Sequence, residues 1–318
     1  MIFIIKHLTH WMMIVIIEAF FTTRLLQRPD TAEPGKHPPQ KVVPMSKPPT
    51  VLITGASSGI GANYAERFAQ RGHDLVLVAR DTARLEALAA RLGARNGVAI
   101  DLLPADLTQP ADLAAVEARL RDDARIGILV NNAGMAQSGG FVQQTAESIE
   151  RLIALNTTAL ARLAGAVAPR FARTGTGAIV NIGSVVGFAP EFGMSIYGAT
   201  KAFVLFLSQG LSLELSPMGV YVQAVLPAAT RTEIWERAGI DVNSLSELMD
   251  VGDLVDAALV GFDRREAVTI PPLHVAGRWD ALDGARQGLL SDIRQTQPAE
   301  RYQPQPRTGQ TGQHMTHA

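Results

Sequence analysis

The sequence predicts an α/β protein built on one doubly wound parallel sheet with helices on both of its faces. Short apolar runs alternate with amphipathic stretches of helical length from about residue 50 to about residue 293. The apolar runs are continuous, as is typical of strands that are buried on both faces. About 245 residues suffice for a single α/β domain, and the crossovers between its strands are expected to be right-handed.

The first half of the domain contains four predicted strands, at residues 51–54, 74–79, 98–103 and 126–131. A helix follows each of them. The first ends near residue 71, and the others cover 82–92, 111–121 and about 146–173. In the second helix the apolar residues share one face at helical spacing, namely Leu85, Leu88, Ala89 and Leu92.

The second half is predicted to contain strands at 178–182 and 220–225 and a short last strand at 268–270. A helix over about 195–216 is apolar on more than one side, so one side must cover the sheet. The other is either buried in a monomer or packed against a second subunit. Residues 229–250 are expected to form a lid.

Composition excludes several classes of protein. The chain has 318 residues, of which 47% are hydrophobic and 19% charged, so it is not a wholly disordered chain. Its 29 Lys+Arg and 30 Asp+Glu give a net charge of -1, which argues against a nucleic-acid binder. Cysteine is absent, so disulfides, thiolate metal sites and a cysteine nucleophile are excluded.

The two ends differ from the domain at residues 45–293. Residues 1–44 combine an apolar segment with a proline-rich linker, and residues 294–318 are predicted to be a disordered tail. Two interpretations of residues 1–44 stay open. Either residues 2–23 contact a membrane as an anchor, with the domain on the cytoplasmic side, or translation starts at Met45 and the preceding residues are an upstream extension. Under both interpretations, we expect the domain at residues 45–293 to lie in the cytoplasm.

A glycine-rich turn joins the first strand to the first helix. It has the sequence TGASSGIG, from Thr54 to Gly61. Glycines let backbone N–H groups approach a pyrophosphate, which the helix N-terminus also favours. The spacing G-x-x-x-G-x-G differs from the usual dinucleotide fingerprint, so the turn by itself is a weak signal.

The end of the second strand bears on the choice of nicotinamide cofactor. A carboxylate there would bind the ribose 2′-hydroxyl and select NAD. The sequence has Ala79 followed by Arg80, and a guanidinium pairs well with a 2′-phosphate. NADP(H) is therefore the preferred cofactor, with NAD(H) as the alternative. Asp81 either complicates this preference or caps the next helix.

Five motifs in order resemble those of the short-chain dehydrogenase/reductase family, in its shorter single-domain branch. They are TGASSGIG, Asn131-Asn132-Ala133-Gly134, Asn156, Ser184 and Tyr197-x-x-x-Lys201. The resemblance covers about residues 48–290 and implies a Rossmann-type fold. One departure is Pro227-Ala228, where the family usually has Pro-Gly, and it puts the geometry of that loop in doubt.

The resemblance implies a set of cofactor-binding residues. They are Thr54, Gly55, Ser57, Ser58, Gly59, Ile60, Gly61, Arg80, Asp106, Leu107, Asn132, Ala133, Gly134, Tyr197, Lys201, Pro227 and Thr230. Asp106 and Leu107 would lie along the adenine, although an aspartate there also starts a helix.

The implied catalytic residues are Asn156, Ser184, Tyr197 and Lys201, with no metal required. Tyr197 and Lys201 are four residues apart on a predicted helix and so share a face. A nearby ammonium is expected to lower the pKa of a phenol toward the working pH. By resemblance, Tyr197 exchanges a proton with the substrate oxygen, Ser184 stabilises that oxygen, and Asn156 holds a water in a relay with Lys201.

The sequence therefore predicts an NADP(H)-preferring carbonyl reductase or alcohol dehydrogenase. The substrate is expected to be apolar, because apolar residues border the substrate end: Val185, Val186, Phe188, Phe192, Met194, Ile234 and Trp235. These residues could instead pack a lid or a subunit contact. A homodimer or homotetramer follows from the resemblance. Alternatives are a 3-oxoacyl-thioester reductase that uses the same residues and a non-catalytic NADP(H)-sensing module.

Overall fold

A computed structural model describes residues 47–137, 139–245 and 247–303 of the chain. The predictions for the apolar segment, the linker and residues 304–318 of the tail lie outside the described residues. Residues 294–303 are exposed and include one 3-10 turn, Glu300–Tyr302.

Seven parallel strands form one sheet, which confirms the predicted fold class. The strands are β1 Thr50–Thr54, β2 Leu75–Ala79, β3 Ile100–Pro104, β4 Ile126–Asn131, β5 Ala178–Ile182, β6 Tyr221–Val225 and β7 Val268–Thr269. Their order across the sheet is β3-β2-β1-β4-β5-β6-β7. The order reverses at β1, which lies between β2 and β4, and such a switch point opens a crevice at the carboxyl ends of the strands.

Helices cover both faces of the sheet. They are α1 Gly59–Gln70, α2 Thr82–Asn96, α3 Pro110–Asp122, α4 Ala146–Thr174, α5 Ser195–Leu215, α6 Ile234–Arg237, α7 Val251–Asp263 and α8 Gly277–Asp292. The apolar sides of α1, α2 and α7 meet one face of the sheet. Those of α3, α4 and α5 meet the other face, so the core has two layers.

Helix α4 differs from the continuous α-helix that the sequence predicts. Its middle, Ala154–Ala159, is a π-helical turn. A π turn adds a residue to one turn of the helix and rotates the side chains that follow it. Among the described residues, α4 is also the helix that is long and apolar enough to span a membrane. It packs on the sheet, however, as core helices of the same length do.

The loop between α3 and β4 is held by the Asp123 carboxylate. This carboxylate accepts hydrogen bonds from Arg125 Nε at 2.9 Å, Arg125 Nη2 at 2.7 Å and Arg119 Nε at 3.0 Å. The Arg125 hydrogen bond is the main cause that lowers the pKa of Asp123 from 3.8 to about 2. A carboxylate with a depressed pKa stabilises the fold above its unfolded pKa, and the contribution is lost as pH falls through the folded value.

We expect Asp123→Asn to lower the free energy of unfolding by about 1–2 kcal/mol at pH 7. The deficit should shrink as the pH falls from about 4 toward 2, because the wild-type carboxylate is then protonated as well. Urea unfolding at several pH values measures both effects. Asp122→Asn, at the exposed neighbouring position, is the matched control. Equal behaviour of the two variants would contradict the role of Asp123.

Candidate active site

The glycine-rich turn lies at the carboxyl end of β1. Gly55 and Gly59 have φ values of +64° and +54°, which side chains rarely adopt. A Cβ on Gly61 would collide with the Gly55 carbonyl oxygen. The turn is therefore tight enough to present its backbone and the start of α1 to the crevice. Ser57, Ser58 and Ile60 are partly exposed along it.

Thr54 supports this turn from beneath instead of facing the crevice. Its hydroxyl is buried and accepts hydrogen bonds from the backbone N–H groups of Asn132 and Ala133, both at 3.0 Å. In return, Asn132 Nδ2 donates to the carbonyls of Thr54 at 2.9 Å and Gly55 at 3.2 Å. These side chains join the ends of β1 and β4, so the Thr54 hydroxyl supports the turn, and the assignment of Thr54 to cofactor binding stays a prediction.

The end of β2 presents an exposed cation. The Arg80 side chain is 61% exposed, and its Nη1 lies 3.9 Å from Asp106 Oδ2. Asp81 caps α2 by accepting a hydrogen bond from the Arg84 N–H at 3.0 Å, which decides between the two interpretations of this residue. Arg80 is therefore the charged group that points away from the sheet at this position.

Asp106 and Leu107 follow β3. Burial raises the pKa of Asp106, but hydrogen bonds from the Thr108 backbone and hydroxyl outweigh it, so the net shift is downward. Leu107 is buried and belongs to the core beneath α3 and α4. Asp106 thus remains a charged group near Arg80, whereas the Leu107 side chain contributes to packing.

Three of the four predicted catalytic side chains meet at the carboxyl ends of β5 and β6. Tyr197 and Lys201 lie one turn apart on α5, and the Lys201 ammonium is 5.6 Å from the centre of the Tyr197 ring. Ser184 lies close enough to the Tyr197 phenol to lower its pKa. Ser184 Oγ also donates to the Pro227 carbonyl at 3.2 Å, and Lys201 Nζ donates to the Ile182 carbonyl at 2.9 Å.

Asn156 lies in the π turn of α4 and is buried. Its Oδ1 accepts from the Met135 N–H at 2.9 Å, and its Nδ2 donates to the Met135 carbonyl at 2.9 Å and to Thr200 Oγ1 at 3.1 Å. A Cβ on Gly134 would lie 3.3 Å from Asn156 Oδ1 and 3.7 Å from Lys201 Nζ. Gly134 therefore separates the two polar groups and leaves room for both.

The electrostatics differ from the expectation that Lys201 lowers the pKa of Tyr197. Burial raises the pKa of Tyr197 to about 12, and the hydrogen bond with Ser184 opposes this only in part. Burial likewise lowers the pKa of Lys201 to about 8. Both shifts have the same physical cause, because loss of water disfavours the charged form of either group. The Lys201 ammonium is also directed to the Ile182 carbonyl.

A small cleft lies beside Tyr197. Its lining consists of Gln137, Gly139, Phe141, Gln144, Met194, Ser195, Ile196 and Tyr197. Of the predicted apolar residues, Met194 lines this cleft. Val185 instead packs on the small core around Leu226, and Phe188 lies 6.0 Å from the Trp279 ring.

Phe141 and Ile196 are cleft residues that the sequence did not indicate. Phe141 lies in a short 3-10 turn after β4, where no periodic pattern reveals its position. Ile196 precedes Tyr197 and could have been found from that adjacency alone. Gln137 is notable in the cleft because its Oε1 is buried without a hydrogen-bond partner.

The segment after β6 begins with Pro227, whose carbonyl also accepts the Val185 N–H at 3.0 Å. Thr230 pairs with Met249 in an isolated bridge, and its buried hydroxyl donates to the Ala228 carbonyl at 3.0 Å. Trp235 Nε1 donates to the Thr230 carbonyl at 2.7 Å. The Thr230 side chain is therefore used within this segment. Thr232 lies against the glycine-rich turn, because a Cβ added to Gly59 would be 3.3 Å from the Thr232 side chain.

A parallel sheet with a glycine-rich turn at its switch point, beside a Ser–Tyr–Lys cluster, defines the class of nucleotide-dependent oxidoreductases. The family model for short chain dehydrogenases matches residues 49–243. The chain belongs to the short-chain dehydrogenase family, as its motifs indicated.

Solved structures and curated relatives agree with this assignment. A short-chain dehydrogenase from Sphingobium yanoikuyae in complex with NADPH is 84% identical, and the match covers 80% of this chain and 100% of that one, with a TM-score of 0.79. A bulky-bulky ketone specific alcohol dehydrogenase from Comamonas testosteroni is 69% identical over 81% of this chain and 100% of its own, with a TM-score of 0.77. A 2,5-dichloro-2,5-cyclohexadiene-1,4-diol dehydrogenase from Sphingobium indicum is 31% identical over 72% of this chain and 94% of its own.

The burial of Lys201 leads to a prediction about stability. Its folded pKa of about 8 lies below its ordinary value of 10.5, so between these values the unfolded chain binds more protons and stability rises with pH. The quantity to compare is the difference in the free energy of unfolding between the wild type and Lys201→Met. We expect this difference, wild type minus variant, to rise by up to about 3 kcal/mol between pH 8 and pH 10.5. Denaturant unfolding across this range measures it. A difference that is independent of pH would contradict the burial of a charged lysine.

Proposed function

We propose that the protein is an NADP(H)-preferring oxidoreductase that transfers a hydride between the nicotinamide and a carbonyl or secondary alcohol, with Tyr197 as the general acid and base. The observation that carries the proposal is that Ser184 lies close enough to the Tyr197 phenol to act on its pKa, with Lys201 one turn further along α5 and its ammonium 5.6 Å from the Tyr197 ring. The pair lies at the same edge of the sheet as the glycine-rich turn, where parallel α/β sheets bind nucleotides.

The residues of the crevice fit a dinucleotide. The backbone of the turn from Gly55 to Gly61 and the start of α1 would hold the pyrophosphate. Arg80 is exposed and makes only a long ion pair with Asp106, at 3.9 Å, so its guanidinium can turn to a 2′-phosphate, while Asp81 is engaged in capping α2. The NADPH in the similar Sphingobium yanoikuyae structure supports this choice. When bound, the cofactor supplies or accepts the hydride.

The protein's own groups would handle the proton. With a pKa of about 12, the Tyr197 phenol is protonated at neutral pH and can donate to a carbonyl oxygen as that oxygen gains charge. The Ser184 hydroxyl, held between Tyr197 and the Pro227 carbonyl, would hydrogen-bond the same oxygen. Lys201 and Asn156 are fixed by the Ile182 and Met135 backbones, and we assign them to positioning and proton exchange behind Tyr197.

The substrate is proposed to be an apolar ketone or its alcohol. Phe141, Met194 and Ile196 give the cleft beside Tyr197 an apolar wall. The unpartnered Gln137 Oε1 offers an acceptor to a substrate that carries a hydrogen-bond donor. The specificity of the similar Comamonas testosteroni enzyme for bulky-bulky ketones supports this class of substrate.

We also propose that the protein is a homodimer or homotetramer. Helix α5 leaves large apolar side chains uncovered, with Phe206 77% exposed and Leu213 80% exposed. A second uncovered apolar surface is a groove on α4 that includes Ile149 and Ile153. Contiguous apolar surface of this kind favours association.

Tyr197→Phe tests the catalytic assignment. Removal of the phenol oxygen should lower kcat for reduction of a bulky ketone with NADPH by at least about 100-fold, because the proton donor is lost. NADPH binding, measured by fluorescence titration, should be retained. Tyr302→Phe removes an exposed hydroxyl and serves as the control. Unchanged turnover in Tyr197→Phe would refute the assigned role, and a wild type that binds NADPH but reduces no carbonyl would favour the sensing module.

Parallel titrations with NADPH and NADH at one salt concentration test the cofactor preference. The wild type should bind NADPH more tightly. Arg80→Gln should weaken NADPH binding by about tenfold and leave NADH binding unchanged, because the guanidinium contacts the 2′-phosphate alone. Arg121→Gln, at an exposed position on α3, is the control. Tighter binding of NADH by the wild type would overturn the preference without affecting the catalytic residues.

A further inference from the structure

A cluster of charged residues joins the segment after β6 to α2. Arg84 Nη1 donates to both oxygens of the Glu233 carboxylate, at 2.8 and 2.7 Å. Arg237 Nη2 donates to the same carboxylate, at 2.7 Å from Oε2. Two guanidinium groups from different parts of the chain therefore share one carboxylate.

The cluster lies against the glycine-rich turn. Arg237 Nη2 is 3.3 Å from Ser58 Oγ. Ser58 immediately precedes α1, and its side chain makes no capping hydrogen bond to that helix. The Arg237 guanidinium is therefore directed to the start of α1, the part of the turn that favours anions.

Arg84 belongs to the other side of the same crevice. It lies four residues after Arg80, in the first turn of α2. Its link to Glu233 holds the segment after β6 close to the end of β2. Arg237 is thus brought to the region between Ser58 and the end of β2, which is where the proposed cofactor would carry its 2′-phosphate.

The two arginines of the cluster differ in how many acidic partners they have. Arg84 has a second acidic partner, since its Nε lies 3.4 Å from Asp81 Oδ2. Among the described residues, Arg237 has only its share of Glu233 and the neutral Ser58 hydroxyl as partners. Its side chain is 54% exposed, so a ligand can reach it. Arg237 is accordingly the guanidinium of the cluster best able to accept a further anion.

We propose that Arg237 is a specificity-determining residue that binds the 2′-phosphate of NADP(H), so that the segment after β6 takes part in cofactor selection together with Arg80. The inference rests on the proposed function. A phosphate dianion has more acceptor oxygens than one carboxylate, so it can bond Arg237 while Glu233 stays with Arg84. The interaction requires the 2′-phosphate, and NAD(H) gains nothing from it.

Fluorescence titrations of wild type and Arg237→Gln with NADPH and with NADH test the proposal. Arg237→Gln should weaken NADPH binding by about tenfold and leave NADH binding unchanged. Arg264→Gln is the matched control. Arg264 is an exposed arginine next to Asp263, which pairs with Arg71 after the far end of α1. Equal weakening of both nucleotides in Arg237→Gln, or no weakening of either, would overturn the proposal.

Hydrogen exchange gives a second measurement that does not depend on turnover. In the wild type, NADPH should slow amide exchange in residues 233–239 more than saturating NADH does, and this difference should vanish in Arg237→Gln. A difference that persists in the variant would also overturn the proposal. The proposed function fails separately, namely if the wild type binds neither nucleotide or shows no preference for NADPH.

Discussion

The site depends on the hydrogen bonds that join the carboxyl ends of β1 and β4. The Thr54 hydroxyl accepts hydrogen bonds from two backbone N–H groups just after β4. The Asn132 side chain donates two hydrogen bonds to backbone carbonyls of the turn. These bonds are buried or partly buried, so leaving any of the groups unpaired would cost free energy. They fix the glycine-rich turn relative to Gly134, and with it the nucleotide crevice relative to the residues proposed for catalysis.

The proposed catalytic groups are held by backbone atoms more than by one another. Lys201 donates to the Ile182 carbonyl, Ser184 to the Pro227 carbonyl, and Asn156 bonds both backbone polar groups of Met135. Partners of this kind come from the strand ends and do not change with side-chain rotation. The hydrogen bonds to the backbone therefore position these side chains relative to the sheet edge, as a preorganised site requires.

The sequence predicted the sheet because continuous apolar runs have few alternatives to a buried strand, and the strand bounds agree within two residues. It also placed Tyr197 and Lys201 on one helix face, because that follows from a spacing of four. It did not predict the π turn around Asn156, since such a turn depends on packing around the helix. The buried hydroxyl of Thr54 and the cleft position of Phe141 likewise depend on contacts between distant segments.

Gly134 limits how this chain can vary. A methyl group at this position would crowd Asn156 Oδ1 at 3.3 Å and touch Lys201 Nζ at an ordinary 3.7 Å, whereas, beyond the adjacent turns of α4, none of the described residues comes within 4 Å of a methyl group on Gly165. Mutational scanning should therefore find that residue 165 tolerates larger side chains and that residue 134 does not, although both glycines have apolar neighbours in the sequence. The volume of the side chain at residue 134 therefore constrains where the Asn156 carboxamide lies, and with it the hydrogen bonds of Asn156 to Met135 and Thr200.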